Sequence, residues 1–476
     1  MHSGIAIDNL NPAYVESFPA LRGSRQPLDC GAVDAAPAST HRLGFALFIL
    51  VNAVLFVRPA EIVPGWENLP IYEILILGCL LASLPVVLPK LAWSSLRENP
   101  ITVCVLGLLV AVFVSNAAHG DLWSARMGAM EFSKVVIYYL LLVGLIDSPA
   151  RLRTFLLVIA GFIFCTAILS LLNHHGTIDL PSLSELREGY GEDSVTGETH
   201  YIYRLRAMGI FNDPNDFALI LNTAIFIALH WVLMQKRWLL KLAWALPIAL
   251  LVYALTLTQS RGGFLSLLAG LVVLLFLHIR WKRAIFVCAL LLPAMLLAFG
   301  GRLTNIDVEN SNDTAQGRVL LWRDSLELFH HVPLFGIGQG NLADEIGHVA
   351  HNSYVHGYAE MGFFGGTFFV GAFYLAATAI GKLRPVALPW LPDDLRSLRL
   401  CLLPVLASYM MGLHSLSRTY GNATYMIFGL LAAFMTLVAA AGIQTPTLNP
   451  RLARRVVVAS VGCVLYFEVF VRVFAH

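Results

Sequence analysis

The groups in this sequence best suited to chemistry are one histidine and a few arginines. His351 opens the segment AHNSYVHGYAEMGFFGG (350–366), where Asn352 or Ser353 can cap the apolar helix that follows. A helix N-terminus favours anions and depresses the pKa of a nearby imidazole, so His351 would stand neutral there and able to act as a general base. An interfacial histidine bonding a loop carbonyl is the plainer alternative. Arg204 and Arg206 precede AMGIFNDPND (207–216), in which Asn212, Asp213 and Asn215 can cap the next helix. Arg261 sits in the tight turn TQSRGGF (258–264), Arg318 in GRVLLWRDSLELFHH (317–331), and Arg418 in HSLSRTYG (414–421). Arginine keeps its charge, so near hydrocarbon it needs a partner. No carboxylate lies near Arg261 in sequence, which leaves a remote side chain, lipid headgroups or a phosphorylated substrate, whose oxygens the guanidinium fork fits bidentately. Snorkelling to headgroups competes for each arginine taken alone.

The surrounding stretch has its own logic. Asn312, Asp313 and Thr314 offer N-caps for an amphipathic helix over 317–331, which Pro333 stops. Leu320, Leu321, Trp322 and Phe329 should lie against the membrane or the bundle, with Arg318 and Arg323 directed elsewhere. PLFGIGQGN (333–341) reads as a tight glycine turn with exposed amides. It is no dinucleotide fingerprint, because no βαβ unit surrounds it. His348 and His351 lack the spacing of a metalloprotease zinc pair. His174, His175 and His200 lie near an acidic run, Glu185, Glu188, Glu192 and Asp193, most simply a solvated face. Glu131 and Lys134, one turn apart, read as a structural ion pair, with Glu73 a further acid at the edge of a span.

The elements that must position these groups are membrane helices. Of 476 residues 57% are hydrophobic and only 13% charged, against roughly 25% in ordinary domains. The apolar residues fall in continuous runs of about 17–25, enough to span a ~30 Å hydrocarbon core. That excludes a soluble enzyme, a disulfide scaffold, a disordered chain and an alternating β-barrel. The predicted fold is all-α and polytopic, with about 12–13 transmembrane helices: 43–57, 70–88, 101–118, 132–146, 152–172, 215–234, 238–258, 263–279, 283–299, 353–380, 399–415, 422–441 and 456–474. Glu468 and Arg472 make the last a doubtful span. Residues 1–41 read as a disordered cytoplasmic tail, 42–441 as the bundle with long loops at 173–214 and 300–352, and 442–476 as a C-terminal segment. Six of the seven cysteines, all but Cys30, sit in apolar runs as small core residues. Lysines and arginines crowd alternate connections, at 22–42, 90–97, 151–153, 236–241, 280–283, 382–399 and 451–455, leaving Arg58, Arg126, Arg261 and Arg418 on the others. By the positive-inside rule the N-terminus is cytoplasmic and both long loops are outside. The net charge of +2 gives no sign of a nucleic-acid partner.

In order along the chain, MGIFNDPND, SRGGF, the G-R…W…P-L-x-G-x-G-x-G-N element of the large outer loop, and an H-N…G-x-x-G pattern (His351, Asn352, Gly362, Gly365) resemble the O-antigen ligase/polymerase superfamily. The resemblance runs from about 40 to 441 and is sharpest in 317–365. It implies a metal-independent, cofactor-free glycosyltransferase of GT-C type in a bacterial inner membrane. Such enzymes move a glycan from an undecaprenyl-diphosphate carrier to an acceptor hydroxyl on the periplasmic face. The acceptor is lipid A core in ligases, a growing glycan in polymerases, and a protein in related transferases. By that resemblance Arg206, Arg261 and Arg318, with Arg204 and Arg418 as further candidates, would clamp the diphosphate, and His351 would activate or orient the acceptor hydroxyl. The family pattern of about twelve spans has no place for the long N-tail or a thirteenth helix.

Two other classes compete. A secondary transporter would need paired halves and mid-membrane ionisable groups, neither of which is evident. A non-catalytic scaffold accounts for the hydrophobicity but not for outward arginines beside a histidine.

Overall fold

A computed structural model describes residues 41–63, 65–66, 69–192, 199–279, 282–289, 314–381 and 391–475. The N-terminal tail with Cys30, Asp193, most of the ninth anticipated span, the capping candidates Asn312 and Asp313, and the basic residues Arg280, Lys382 and Arg384 lie outside the described residues.

The chain is helical almost throughout. We label the principal helices α1 (Arg42–Val57), α2 (Ile71–Val87), α3 (Pro100–Ala117), α4 (Leu122–Leu145), α5 (Pro149–His174), α6 (Pro214–Met234), α7 (Trp238–Leu257), α8 (Arg261–His278), α9 (Thr314–His331), α10 (Ser353–Gly381), α11 (Asp393–Gly412), α12 (Asn422–Ala440) and α13 (Pro450–Phe474). Among the described residues, eleven helices are long and apolar enough to cross a membrane, and α1 is a shorter apolar helix. α13 is among the eleven, so the last, doubtful span is a continuous helix, and its Glu468 lies 2.9 Å from His330 Nε2 of α9. Several helices begin earlier than hydropathy predicts, because local caps and not the hydrocarbon boundary start them. Asp121 accepts from Ser124 N to open α4, Ser148 caps α5 ahead of Pro149, and Asn449 caps α13 ahead of Pro450.

Within a bilayer the backbone must satisfy itself, so packing relies on close contacts and a few side-chain hydrogen bonds. α8 lies along α11, where the Ser266 and Ser408 hydroxyls meet at 2.8 Å. Asn222 of α6 donates to Gly263 O at 2.8 Å, and Tyr138 of α4 to Asn52 of α1 at 2.7 Å. α3 is packed against α4 and α10, and α10 also touches α9 and α13. Glu131 and Lys134 form the anticipated pair at 3.0 Å, with Glu73 3.9 Å from the same ammonium. The described cysteines are all free.

One departure from all-helix lies in the first long loop. Antiparallel strands β1 (Leu186–Glu192) and β2 (Thr199–Arg204) form a hairpin that pairs Leu186 with Arg204. The acidic run is therefore only partly a solvated face. Glu188 binds Arg204 at 2.8 Å, and Glu185 contacts His174.

Candidate active site

Four helices begin at one end of the bundle and touch there. Asp213 caps α6 by accepting from Asn215 N and Asp216 N, Ser260 caps α8 at Gly263 N, and Asn352 caps α10 at Tyr354 N and Val355 N. The start of α12 has no side-chain cap, its N-cap being Gly421. Ser260 Oγ donates to Asn215 Oδ1 at 2.7 Å, joining the α6 and α8 ends. Arg418 N donates to Ser353 Oγ at 2.8 Å, and Thr419 Oγ1 donates to Ser353 O at 2.9 Å, joining the α10 end to the loop before α12. Each N-terminus carries a partial positive charge, so their meeting point favours an anion.

His351 occupies the anticipated place, immediately before the Asn352 cap. It adopts φ 49°, a left-handed conformation that non-glycine residues rarely keep without local enforcement. The fully buried neighbours Ala350 and Asn352 supply that enforcement. Burial pushes the imidazole pKa down to about 4, helped by Arg318, His348 and Arg418 and opposed by Asp213. At neutral pH the ring is therefore uncharged, with a basic nitrogen.

Three of the anticipated arginines share one cavity of about 430 Å³. Arg204, Arg261 and Arg318 line it beside Gln259 and His414, while Trp322, Leu265, Met411, Tyr466 and Phe470 give it an apolar wall. The shape matches an anionic head on a hydrocarbon tail. Arg261 is the first residue of α8, at the positive end of that helix. Arg318 lies on the same side of α9 as Trp322, four residues on, not directed away from it as the sequence reading had it. Trp322 packs edge-on to Phe467 and against Phe470 of α13, so the C-terminal helix builds part of the wall. Arg323 instead pairs with Asp324.

The other two arginines stand apart from that cavity. Arg206 is tied to Ser184, at 2.6 Å to its carbonyl and 3.0 Å to its hydroxyl. Arg418 forks onto both oxygens of the buried Asp216, with Nε at 2.6 Å from Oδ1. Arg204 does line the cavity, but it also binds Glu188, Asn215 at 2.9 Å and the Thr258 carbonyl at 3.0 Å.

The glycine turn has a different job from the one its composition implies. Gly362 interrupts α10 with φ 63° and ψ −165°. The PLFGIGQGN loop lies against this break: Ile337 N and Gly338 N donate to Ala359 O and Glu360 O, both at 3.0 Å, and Phe363 N and Phe364 N donate to Pro333 O and Leu334 O. A Cβ at Gly336 would stand 2.4 Å from the Glu360 carbonyl carbon, and one at Gly362 2.4 Å from that of Leu334. The loop amides thus bond the broken helix and are not held open for an anion.

Two acids escaped the sequence reading. Asp216 counted only as part of a capping motif, although a carboxylate in the first turn of an apolar span signals a charged partner. Glu360 lies deep in α10, 2% exposed, where it meets His356 Nε2 at 3.1 Å and accepts from Tyr420 at 2.8 Å. Among the described residues no group of three or more His, Cys, Asp or Glu side chains is placed to hold a metal ion.

A search of curated proteins finds no match to the chain. Residues 246–370 match the family model described as O-antigen ligase. That stretch runs from the middle of α7 into α10 and holds Arg261, Arg318, His351, Gly336 and Gly362, leaving Arg204, Arg206 and Arg418 outside it. The chain is thus a multi-pass membrane protein whose residues 246–370 match the O-antigen ligase family, which supports its resemblance to the O-antigen ligase/polymerase superfamily.

Proposed function

We propose that the protein transfers a glycan from an undecaprenyl-diphosphate carrier to an acceptor hydroxyl, at the periplasmic face of a bacterial inner membrane and with its N-terminus cytoplasmic. The observation that carries this reading is the cavity in which Arg204, Arg261 and Arg318 face a wall of Trp322, Tyr466 and Phe470. The arginines hold the diphosphate and the apolar wall takes the first isoprene units. The acceptor oxygen attacks the anomeric carbon and the bond from that carbon to the diphosphate oxygen breaks. The electron pair leaves with the carrier, whose added negative charge the guanidinium groups and the α8 terminus stabilise. The acceptor's proton passes to the neutral ring of His351. No step calls for a metal or cofactor. Arg206 and Arg418 take no direct part in the clamp, because neither lines that cavity.

The test is transfer by the purified full chain in proteoliposomes given the host's own lipid-linked glycan and acceptor. The wild type forms product, and His351→Ala, at equal abundance and with the donor still bound, does not. Solute uptake without transfer would replace this reading with a transporter. Ligase and polymerase share the chemistry, and a deletion strain separates them. Long carrier-linked chains accumulate when a ligase is lost, and single capped units when a polymerase is lost.

A further inference from the structure

A second cavity, of about 360 Å³, adjoins the same helix ends and has a lining that is neutral overall where the first is cationic. We propose that it seats the acceptor's sugar, an uncharged, hydroxyl-rich residue, with Asn212 and Asn422 as its hydrogen-bonding groups. The assignment rests on the glycan-transfer reading and adds where the second substrate lies.

The two cavities are divided by consecutive residues of the same elements. In the first turn of α6, Asn215 faces the arginine cavity and Asp216 faces the second one. In the segment leading to α12, His414 and Ser415 face the arginine cavity, whereas Arg418 and residues 420–423 face the second. The Arg418–Asp216 fork is thus part of the second cavity's wall.

Among the described residues that line the second cavity, Asp216 and Arg418 carry the only full charges, and the fork removes them. Asp216 and Arg418 neutralise each other, and the remaining ionisable groups there are the phenols of Tyr409 and Tyr420. A diphosphate gains nothing by entering, whereas the three arginines next door attract it. What the second cavity offers is amide chemistry on an apolar bed. Asn422 Oδ1 is buried without a partner, a cost that a ligand hydroxyl would remove. Asn422 also opens α12, the helix end without a side-chain cap. Phe211, Leu219 and Ile220 line the cavity as well, surfaces suited to the C–H face of a pyranose. Its volume lies within the range of small-molecule sites, about 300–1,000 Å³.

Position argues for the acceptor and not for the donor's sugar. The single, inverting displacement proposed above places the leaving diphosphate and the entering hydroxyl on opposite sides of the anomeric carbon, with the base on the entering side. His351 feels Arg318 from one cavity and Arg418 from the other, and Arg418 is anchored to Ser353, two residues beyond it.

The experiment measures equilibrium binding to the full chain in lipid nanodiscs. The probes are undecaprenyl diphosphate and oligosaccharides released by mild acid from the host's own surface polysaccharide. Asn212→Ala and Asn422→Ala should each raise the oligosaccharide Kd roughly tenfold, the worth of one hydrogen bond, and leave the undecaprenyl diphosphate Kd unchanged. The unchanged carrier affinity also certifies that the variants are folded. Oligosaccharide affinity unmoved in both variants, carrier affinity falling in parallel, or a wild type that binds the carrier but no oligosaccharide would each overturn the assignment. A wild type that binds neither probe would instead remove the glycan-transfer reading on which it rests.

Discussion

Replacing Gly362 by alanine should detach the 333–341 loop from α10. Two routes are open to the variant, and the cheaper one sets the penalty. If the junction stays closed, a residue with a Cβ must hold φ 63° and ψ −165°, a strain of about 1–3 kcal/mol. The new methyl would also stand 2.4 Å from the carbonyl carbon and oxygen of Leu334 and 2.5 Å from Gly336 N, backbone atoms that no rotamer change can clear. Overpacking of that kind costs a further roughly 1–3 kcal/mol. If the junction opens instead, four backbone hydrogen bonds are lost, those of Ile337, Gly338, Phe363 and Phe364, at a net of about 1 kcal/mol each. Both routes come to about 4 kcal/mol, a shift in local opening of up to roughly 10³-fold. Hydrogen exchange reads this directly, and protection of those four amides should fall by roughly 10²–10³-fold. Glycan transfer should fall with it, because the loop joins α9, which bears Arg318, to α10, which follows His351. Gly161→Ala, on an exposed face of α5 where nothing lies within 4 Å of the added methyl, is the matched control and should be neutral or stabilising by about 0.5–1 kcal/mol. Protection within threefold of wild type in Gly362→Ala would refute the reasoning.

Three further outcomes follow from the same geometry. Because burial and Arg318 hold the His351 pKa near 4, below the usual 6.5, the base is deprotonated at all higher pH, and kcat/KM for the donor should decline only as pH falls through about 4. A bound diphosphate would offset Arg318, so the acid limb of kcat should lie higher. Coincident limbs would remove this coupling. The same shift costs stability between about pH 6.5 and 4, where the unfolded chain takes up the proton first. Asp216→Ala leaves the half-buried Arg418 without its carboxylate and should destabilise by about 2–3 kcal/mol, after discounting for partial exposure. Adding Arg418→Met should recover part of that loss, and strict additivity in the double-mutant cycle would deny that the two residues interact. Tyr420→Phe removes a donor from the buried Glu360 carboxylate and should cost about 1.5–3 kcal/mol in thermal unfolding, an unshifted Tm telling against that bond's role.

What could be read from the sequence was local. The caps at Asp213 and Asn352 and the stop at Pro333 each depend on a few neighbouring residues, and each has a recognisable pattern. The shared side of Arg318 and Trp322 was also legible, since four residues make one helical turn, but the charge was assigned to the opposite side. The Arg418–Asp216 fork joins residues 202 positions apart, and the Tyr420–Glu360 bond joins the segment before α12 to α10, which no local pattern encodes. The glycine turn misled for a related reason. Positive φ at Gly336 and Gly338 was foreseeable, but the partner of the Ile337 and Gly338 amides, a break within a later helix, was not.

The place of α13 bears on how this protein can be handled. C-terminal tags and reporter fusions are ordinary tools for purifying membrane proteins and mapping their sidedness, and they are usually treated as inert. Here Phe474 packs at a tilt against Phe470 with ring centroids 4.7 Å apart, and Phe470 is itself a wall of the arginine cavity. A bulky group introduced at Phe474 would sit one helical turn from the binding surface and act as a perturbant of the site, and a silent phenotype from it would misreport the native protein.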